Sequence, residues 1–400
     1  MTTRQKYSVL ALIWLVLLVS HLDRTNITVA APTMMRELGF TPAQFGIVLS
    51  SFLIGYALTQ IPGGYLSDRL GARTILISSL ILWSFFTGLT GFVTSLPWLI
   101  SIRLLFGACE GFSIGPAFKL IGDYFSPKER PFVNSVYLSA IAIGPALVTP
   151  LATWCLKHVG WQAMFGLFTI PGLVVAWLLQ RWLPRSTPEQ DDKVPSLISL
   201  DHAVKPRSKH WLILAYLGFN IAFWGYLGWI PSYLSHERHL TASELGFAVS
   251  IPYTFGVFGL LGLGLLSSRL GYRRRGSLLA AVYSAAAISL LSAYLIPGTV
   301  NCVIFLSFSA FLLYGSLGSV WSLILDLSPS QTRGTFSGTA SFFGQIGSII
   351  ALLAIGFAVE HTGQYAGGFA FMITGLIIAS LATIIFQCSV RLQKKARAAR

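Results

Sequence analysis

Twelve stretches of this sequence are each long and apolar enough to cross a lipid bilayer. A hydrocarbon core about 30 Å thick needs about 20 mostly apolar residues per helix. Within lipid a chain satisfies its backbone hydrogen bonds only as helices or closed barrels, so this pattern predicts an all-α integral membrane protein. The predicted spans, numbered 1 to 12, cover residues 8–30, 44–66, 74–94, 97–121, 133–156, 162–183, 210–234, 245–267, 277–297, 300–325, 336–359 and 366–389.

The composition excludes an ordinary soluble protein. Only 10% of the residues are charged and the mean hydropathy is +0.69, whereas soluble chains carry about 25% charged residues. The net charge of +14 does not indicate nucleic-acid binding, because the basic residues lie in short loops and tails rather than on a soluble face. The four cysteines lack the spacing of metal ligands or redox motifs, so no metal site and no cofactor are predicted. The low charge content makes membrane lipid the expected surroundings.

Lys and Arg are strongly concentrated on one side of the predicted topology. The opposite side carries only Arg36, Lys157 and Arg238. Since cytoplasmic loops retain basic residues, both termini are predicted to be cytoplasmic, which requires an even number of spans. The cytoplasmic set comprises Arg4, Lys6, Arg69, Arg73, Lys128, Arg130, six basic residues from Arg181 to Lys209, Arg269, Arg273 to Arg275, Arg333 and the basic residues after 390.

An internal repeat divides the spans into two halves. GYLSDRLGAR at 64–73 returns as GLLSSRLGYR at 264–273, with seven identities in ten, and FSPKERPF at 125–132 returns more weakly as LSPSQTRGTF at 327–336. The only long polar connection lies between spans 6 and 7. The sequence therefore predicts six-helix bundles at 1–183 and 210–389, a cytoplasmic linker at 184–209, and a basic cytoplasmic tail at 390–400.

Several motifs resemble the major facilitator superfamily, and the resemblance covers essentially the whole chain. More narrowly, HLDRTN at 21–26, IPGGYLSDRLGAR at 61–73, RLLFGACEG at 103–111 and WIPSYL at 229–234 are similar to the anion:cation symporter family, which includes bacterial sugar-acid carriers and animal organic-anion carriers. The resemblance implies two pseudo-symmetric six-helix bundles, alternating access and a monomer in the cell inner membrane. It also implies a secondary active transporter and not an enzyme.

Five ionisable residues fall within predicted spans 1 and 4, namely Asp23, Arg24, Arg103, Glu110 and Lys119. Charges at membrane depth are costly, face a cavity in most cases, and mark a pathway. Lys119 is interpreted differently, since it lies about one turn from the cytoplasmic end of span 4, where its side chain can snorkel to the interface.

The rise along each helix predicts which of these charges meet. At 1.5 Å per residue, Asp23 and Arg103 fall at similar depths, whereas Arg103 and Glu110 lie about 10 Å apart along one helix. We therefore expect Asp23 to pair with Arg103, and Arg24 to remain available for an anionic substrate.

Proton coupling is predicted from Glu110. Burial favours the neutral form of a carboxyl group without a permanent partner, so such a group can load and release a proton as access alternates. The resemblance implies that Glu110 and Asp23 couple protons, that Arg24 and Arg103 lie beside them, and that Tyr56 contacts substrate. Ile141 stands where the family pattern has a polar residue, which makes a smaller or more apolar carboxylate plausible.

Further positions are predicted to serve a cytoplasmic gate or to complete the substrate pocket. The resemblance assigns the gate motif to Gly64, Asp68, Arg69, Gly71 and Arg73, and Ser268 replaces the acid in the second half, which makes any such lock asymmetric. Arg273 to Arg275 are interpreted as charges that anchor the inside loop. In the second half, Trp321 and Gln345 are predicted as substrate contacts.

Other interpretations remain open at this stage. The buried charges could form a static network between spans 1 and 4. A proton-coupled drug or metabolite exporter would fit the same topology, but two buried arginines would repel a cationic drug. A membrane sensor is a further alternative. An integral-membrane enzyme is not predicted, because the sequence contains no catalytic cluster near an interface. The buried charges and the resemblance together predict proton-coupled symport of a small organic anion, a sugar acid or other carboxylate.

Overall fold

The computed structural model describes residues 3–184, 206–240, 242–270 and 272–398. These residues contain fourteen α-helices and no strand. The helices are α1 (Thr3–Leu38), α2 (Pro42–Leu70), α3 (Ala72–Thr90), α4 (Leu96–Gly111), α5 (Ile114–Tyr124), α6 (Arg130–Leu138), α7 (Ala140–His158), α8 (Gly160–Trp182), α9 (Pro206–His236), α10 (Ala242–Leu270), α11 (Tyr272–Leu295), α12 (Thr299–Asp326), α13 (Arg333–Thr362) and α14 (Ala366–Ala398).

Twelve segments of the described chain are long and apolar enough to cross a membrane. They confirm the predicted all-α membrane fold, and each overlaps one predicted span. Spans 4 and 5 differ from the prediction because each is built from two helices, α4 with α5 and α6 with α7. In span 4 the helix stops at Gly111 and restarts at Ile114, and the Ser113 backbone N–H donates to the Glu110 carbonyl oxygen over 2.9 Å.

The chain forms two compact units. The first comprises the described parts of Met1–Phe125, Val136–Gln190 and Ser330–Phe342, and the second those of Ser126–Ser135, Asp191–Pro329 and Phe343–Arg400. Spans 1 to 6 thus lie mainly in the first unit and spans 7 to 12 mainly in the second, while a short segment of each half groups with the other unit.

The predicted bundle limits at 183 and 210 stay a prediction. Most of the predicted linker, from 185 to 205, lies outside the described residues. Helix α14 continues to Ala398, through most of the segment that was predicted as a basic tail.

Glycines bring α2 and α4 into backbone contact inside the first unit. A Cβ atom at Gly107 would overlap the carbonyl oxygen of Phe52, and one at Gly55 would overlap the carbonyl oxygen of Leu104. At the same interface the Thr59 hydroxyl donates to the Ala108 carbonyl oxygen over 2.7 Å. Small residues and such hydrogen bonds are the usual way in which helices associate tightly in lipid. This contact fixes the rotation of α4, and therefore the direction in which Glu110 points.

Gly107→Ala is expected to lower stability by about 2 kcal/mol, because the added methyl group meets backbone that can yield only if the two helices separate. Thermal unfolding of the purified protein in detergent measures this as a lower midpoint. Gly166→Ala is the matched control, since a Cβ atom there meets nothing within 4 Å. Equal midpoints for the two variants would contradict the proposed packing.

Candidate functional site

An ion pair between α1 and α4 lies at the centre of the first unit. The Arg24 guanidinium approaches the Glu110 carboxylate through Nη2 at 2.7 Å and donates through Nε at 2.8 Å, and both contacts reach the same oxygen, Oε1. The Glu110 side chain is 1% exposed, whereas 21% of the Arg24 side chain is exposed. The arginine therefore connects a buried carboxylate with open space.

The two carboxylate oxygens of Glu110 have different surroundings. Oε1 also accepts a hydrogen bond from the Ser20 hydroxyl, one turn before Arg24 on α1. Oε2 is buried and has no hydrogen-bond partner among the described residues. An unpartnered oxygen can take up a proton without losing a hydrogen bond, and protonation would weaken the ion pair to Arg24 by removing the negative charge.

An aromatic layer holds both arginines of the site. The Arg24 Cζ atom lies 4.4 Å from the ring centroid of Tyr56 and 5.0 Å from that of Phe52. Arg103 lies 4.5 Å from the centroid of Phe106 and 5.8 Å from that of Phe52. Guanidinium groups over ring faces gain cation–π attraction, which grows when water is excluded. Phe52 thus contacts both cations and sets the spacing between them.

Asp23, the residue before Arg24 on α1, is buried. It is 1% exposed, and neither of its carboxylate oxygens has a hydrogen-bond partner in the part of the chain that the structure describes. Trp83 and Thr87 of α3 are polar side chains close to it, and Glu110 and Arg103 are charged residues that interact with it. A charged carboxylate in such surroundings is costly, which favours a role that involves binding a proton.

The predicted pairing of the four charges is wrong. Among the described residues, Arg24 pairs with Glu110, and no ion pair joins Asp23 to Arg103, which stacks on aromatic rings instead. Glu110 therefore has a partner that the sequence analysis did not foresee. Partners depend on helix rotation as well as on the rise per residue, and Ser20 and Arg24 lie on the face of α1 that is turned toward α4.

The two substrate contacts predicted in the second half lie in the second unit. Trp321 of α12 is 3% exposed and packs edge-to-face on Tyr216, with ring centroids 5.3 Å apart. Gln345 of α13 is half-buried. Both residues stay predictions as substrate contacts.

Asp68 of the predicted gate motif binds the first turn of α13 inside the first unit. Its carboxylate accepts hydrogen bonds from the backbone N–H groups of Gly334, over 3.0 Å, and Thr335, over 2.7 Å, and from the Thr335 hydroxyl. The first N–H groups of a helix have no partner within the helix and carry a partial positive charge, so a carboxylate is the favoured ligand. A Cβ atom at Gly64 would overlap the Gly334 backbone, which explains the glycine.

The interpretation of Lys119 as a side chain that snorkels to the membrane interface is wrong. Lys119 does not snorkel to the interface, because its ammonium group donates to Asp68 Oδ1 over 2.7 Å with a side chain that is 11% exposed. Proximity to the end of span 4 suggested water as its partner, whereas the neighbouring α2 supplies a carboxylate at the same depth.

The other gate-motif residues do not join this cluster. Gly71 ends α2 with a φ of +89°, a conformation that side chains rarely adopt. The Arg69 guanidinium lies over the Tyr65 ring at 4.6 Å. Arg73 donates to the Gln180 carbonyl oxygen at the end of α8. In the second unit, the Ser268 hydroxyl accepts one hydrogen bond from the Phe132 backbone N–H over 3.2 Å, as expected from the missing acid.

Two equivalent Asp–Arg pairs connect the repeats crosswise. Asp123 pairs with Arg333 in the first unit, and Asp326 pairs with Arg130 in the second. Both aspartates and both arginines are related by an offset of 203 residues, so each aspartate binds the arginine of the other repeat. The weaker sequence echo at 125–132 and 327–336 contained the signal for these arginines.

Arg275 was predicted to anchor the inside loop, and this is wrong. It is fully buried and binds Asp326 Oδ2 over 2.7 Å and the Pro127 carbonyl oxygen. Arg274 is exposed and the Arg273 side chain lies outside the described residues. A run of three arginines hides such a difference, because the sequence does not show that Arg275 is buried and Arg274 is exposed.

Asp326→Asn is expected to destabilise the protein by about 3 kcal/mol, because two buried guanidinium groups, those of Arg130 and Arg275, lose their carboxylate. The thermal unfolding midpoint in detergent checks this. Glu360→Gln, at an exposed acid, is the control that removes the same charge. An unchanged midpoint in Asp326→Asn would show that the pair contributes nothing.

Sequence analysis missed several residues of the central site. Ser20 and Phe52 carried no signal because neither is ionisable, yet one binds Glu110 and the other stacks under both arginines. His21 belongs to the motif at 21–26, but the sequence pattern alone indicated no role for it. Its position one turn before Arg24 on α1 is the signal that places it near the ion pair.

Known proteins resemble this chain over most of its length. The family model described as the Major Facilitator Superfamily matches residues 13–352. The hexuronate transporter of Bacillus subtilis (strain 168) is 29% identical over 406 residues, covering 96% of this chain and 96% of that protein. The D-galactonate transporter of Escherichia coli O6:H1 is 28% identical over 423 residues, covering 97% of each.

Among solved structures, the proton:xylose symporter XylE bound to 6-bromo-6-deoxy-D-glucose superposes with a TM-score of 0.76 at 18% identity, covering 96% of each chain. At that identity the likeness shows the fold alone. The described part of the chain has twelve helical segments that are long and apolar enough to cross a membrane, in agreement with this fold. Since the family model covers most of the sequence, the chain belongs to the Major Facilitator Superfamily, and it is a membrane transporter rather than an enzyme.

Proposed function

We propose that the chain moves a small organic anion, a sugar acid or other carboxylate, together with protons by alternating access. The ion pair between Arg24 and Glu110 carries this proposal. Arg24 has the geometry to bind a carboxylate, and a carboxylate of the protein occupies it in this structure. A transported carboxylate must therefore compete with Glu110, and a proton on Glu110 settles that competition in favour of the substrate.

The exchange conserves charge at the site. In the empty site the Arg24 cation balances the Glu110 anion. In the loaded site a proton neutralises Glu110, and the substrate carboxylate balances Arg24. Both states bury the same net charge, so neither needs an additional uncompensated ion at membrane depth. The unpartnered Oε2 of Glu110 is the atom that would receive the proton.

The known relatives support the substrate class. Two of them, matched over nearly their whole length, are named for hexuronate and D-galactonate, which are both sugar acids. For proton coupling, the proton:xylose symporter, which has the same fold, is the supporting comparison. The buried and unpaired Asp23 supplies a second carboxyl group that would bind a proton. Arg103 and Tyr56 are further proposed substrate contacts in the first unit, and Trp321 and Gln345 are proposed substrate contacts in the second.

The proposed setting is the inner membrane, with both termini in the cytoplasm and a monomer as the working unit. In that orientation the Asp68 cluster lies on the cytoplasmic side. We assign it to a gate, because a carboxylate that binds backbone N–H groups at the start of α13 must release them when that helix moves.

Reconstitution into proteoliposomes tests the function. With an imposed pH gradient, acidic outside, we expect accumulation of D-glucuronate or D-galactonate above the external concentration, and collapse of the gradient by a protonophore should stop it. Accumulation that ignores the gradient would contradict proton coupling. Failure to move any carboxylate, with ligand binding intact, would favour the sensor alternative.

A further inference from the structure

His21 is a titratable residue beside the proposed site that the exchange between Arg24 and Glu110 does not use. It lies on α1, one turn before Arg24, so the two Cβ atoms are about 5 to 6 Å apart on one face. The Gly144 backbone of α7 packs against its Cβ, and a Cβ atom at Gly144 would overlap it. The backbone of α7 thus leaves the imidazole ring little freedom.

One hydrogen bond fixes the tautomer of this ring. Nδ1 lies 3.0 Å from the carbonyl oxygen of Leu17. A carbonyl oxygen can only accept, so Nδ1 carries the hydrogen. With the hydrogen on Nδ1, the neutral ring presents Nε2 as a hydrogen-bond acceptor. Nε2 has no hydrogen-bond partner among the described residues and is not one of their fully enclosed polar atoms.

The face of α1 that carries His21 is polar and accessible. His21 and Thr25 are half-buried and Thr28 is exposed, at spacings of four and three residues. The Thr25 hydroxyl donates to the His21 carbonyl oxygen, and the Thr28 hydroxyl donates to that of Thr25. Ionisable residues in a membrane span usually face the interior of the helix bundle or a water-filled cavity. His21 is half-buried, one turn before Arg24, whose side chain is 21% exposed.

We propose that His21 is a specificity residue, whose Nε2 accepts a hydrogen bond from a hydroxyl group close to the carboxylate of the transported anion. This rests on the proposed function, with the substrate carboxylate on Arg24. Ile141, one turn before Gly144 on α7, offers no hydrogen bond on this side of the site. The structure places His21 there instead, which favours a hydroxy acid over the apolar carboxylate that Ile141 alone suggested.

Two pairs of probes test the role of the hydroxyl group. They are D-galactonate with 2-deoxy-D-galactonate, and L-lactate with propionate. A site built to accept from a hydroxyl group discriminates against the analogue that lacks it. For at least one pair we expect the full-length purified protein to bind the hydroxylated member about tenfold more tightly, the worth of one such hydrogen bond. Titration calorimetry in detergent measures both dissociation constants.

His21→Phe keeps an aromatic ring of similar size and removes the acceptor. We expect this variant to bind the hydroxylated acid of the pair about tenfold more weakly and to bind the analogue without that hydroxyl group with unchanged affinity. His21→Gln, whose amide oxygen can accept near the position of Nε2, should restore part of the preference. A merely structural role would lower both affinities together, and the thermal unfolding midpoint of each variant shows whether it is folded.

The outcomes separate the two proposals. Equal affinities within both pairs, or a preference that survives in His21→Phe, would overturn the assignment of His21. Binding of succinate with no binding of either hydroxy acid would overturn it as well, while the proposed transport of a carboxylate stands. If none of these carboxylates binds, the proposed function itself fails.

Discussion

Glu110→Gln is expected to abolish accumulation of the anion under an inward proton gradient while exchange of labelled for unlabelled anion without a gradient continues. The amide has the shape of the carboxyl group, but it cannot release a proton. It also removes the charge that holds Arg24 in the empty site, so the variant is fixed in the form that accepts substrate. Proteoliposomes loaded with D-glucuronate or D-galactonate measure both reactions in one preparation.

The same variant should lose the pH dependence of binding. In the proposed exchange, the charged form of Glu110 competes with the substrate for Arg24 and the protonated form does not. In Glu110→Gln this competition is absent, so the affinity should not change with pH through this group. Asp23→Asn is the comparison at the second buried carboxyl group. Unchanged accumulation in Glu110→Gln would exclude Glu110 as the proton carrier and would favour a static role for the ion pair.

Arg24→Ala is expected to weaken binding of the anion about a hundredfold or more, because a buried, charge-assisted contact to the carboxylate is lost. It also leaves Glu110 buried without its cation, which would lower stability. Arg24→Lys keeps the charge but loses the two adjacent N–H groups, so an intermediate affinity is expected. Calorimetric titration in detergent provides the dissociation constants.

A double variant separates binding from stability. Arg24→Ala combined with Glu110→Gln removes both members of the pair, so the unfolding midpoint should recover toward that of the unmodified protein while binding stays weak. Recovery of binding in the double variant would mean that Arg24 only neutralises Glu110. Normal affinity in the single variant Arg24→Ala would remove this arginine from the site.

Hydropathy predicted the twelve membrane helices well, for a physical reason. Lipid forces each apolar run into a helix, and ionisable residues at membrane depth are too costly to occur without a role. Asp23, Arg24, Arg103 and Glu110 were identified on that ground alone, and all four lie close together in the first unit.

Partners were harder to predict than positions. Which side chain meets Glu110 depends on the rotation of α1 and α4 about their axes, and that rotation is set by backbone contacts at glycines such as Gly55 and Gly107. Spacing along one helix contains no information about a neighbouring helix. The same limit explains Lys119 and Arg275, whose carboxylate partners lie on other helices.

The interruption of span 4 directly after Glu110 has a consequence for how the chain tolerates change. Residues 112 and 113 link two separate helices, so inserting one residue there would shift α5 without turning Glu110. The same insertion between Arg103 and Glu110 would rotate the carboxylate about 100° around its helix, away from Arg24. The chain can therefore change length between α4 and α5 without changing the direction of the Glu110 carboxylate.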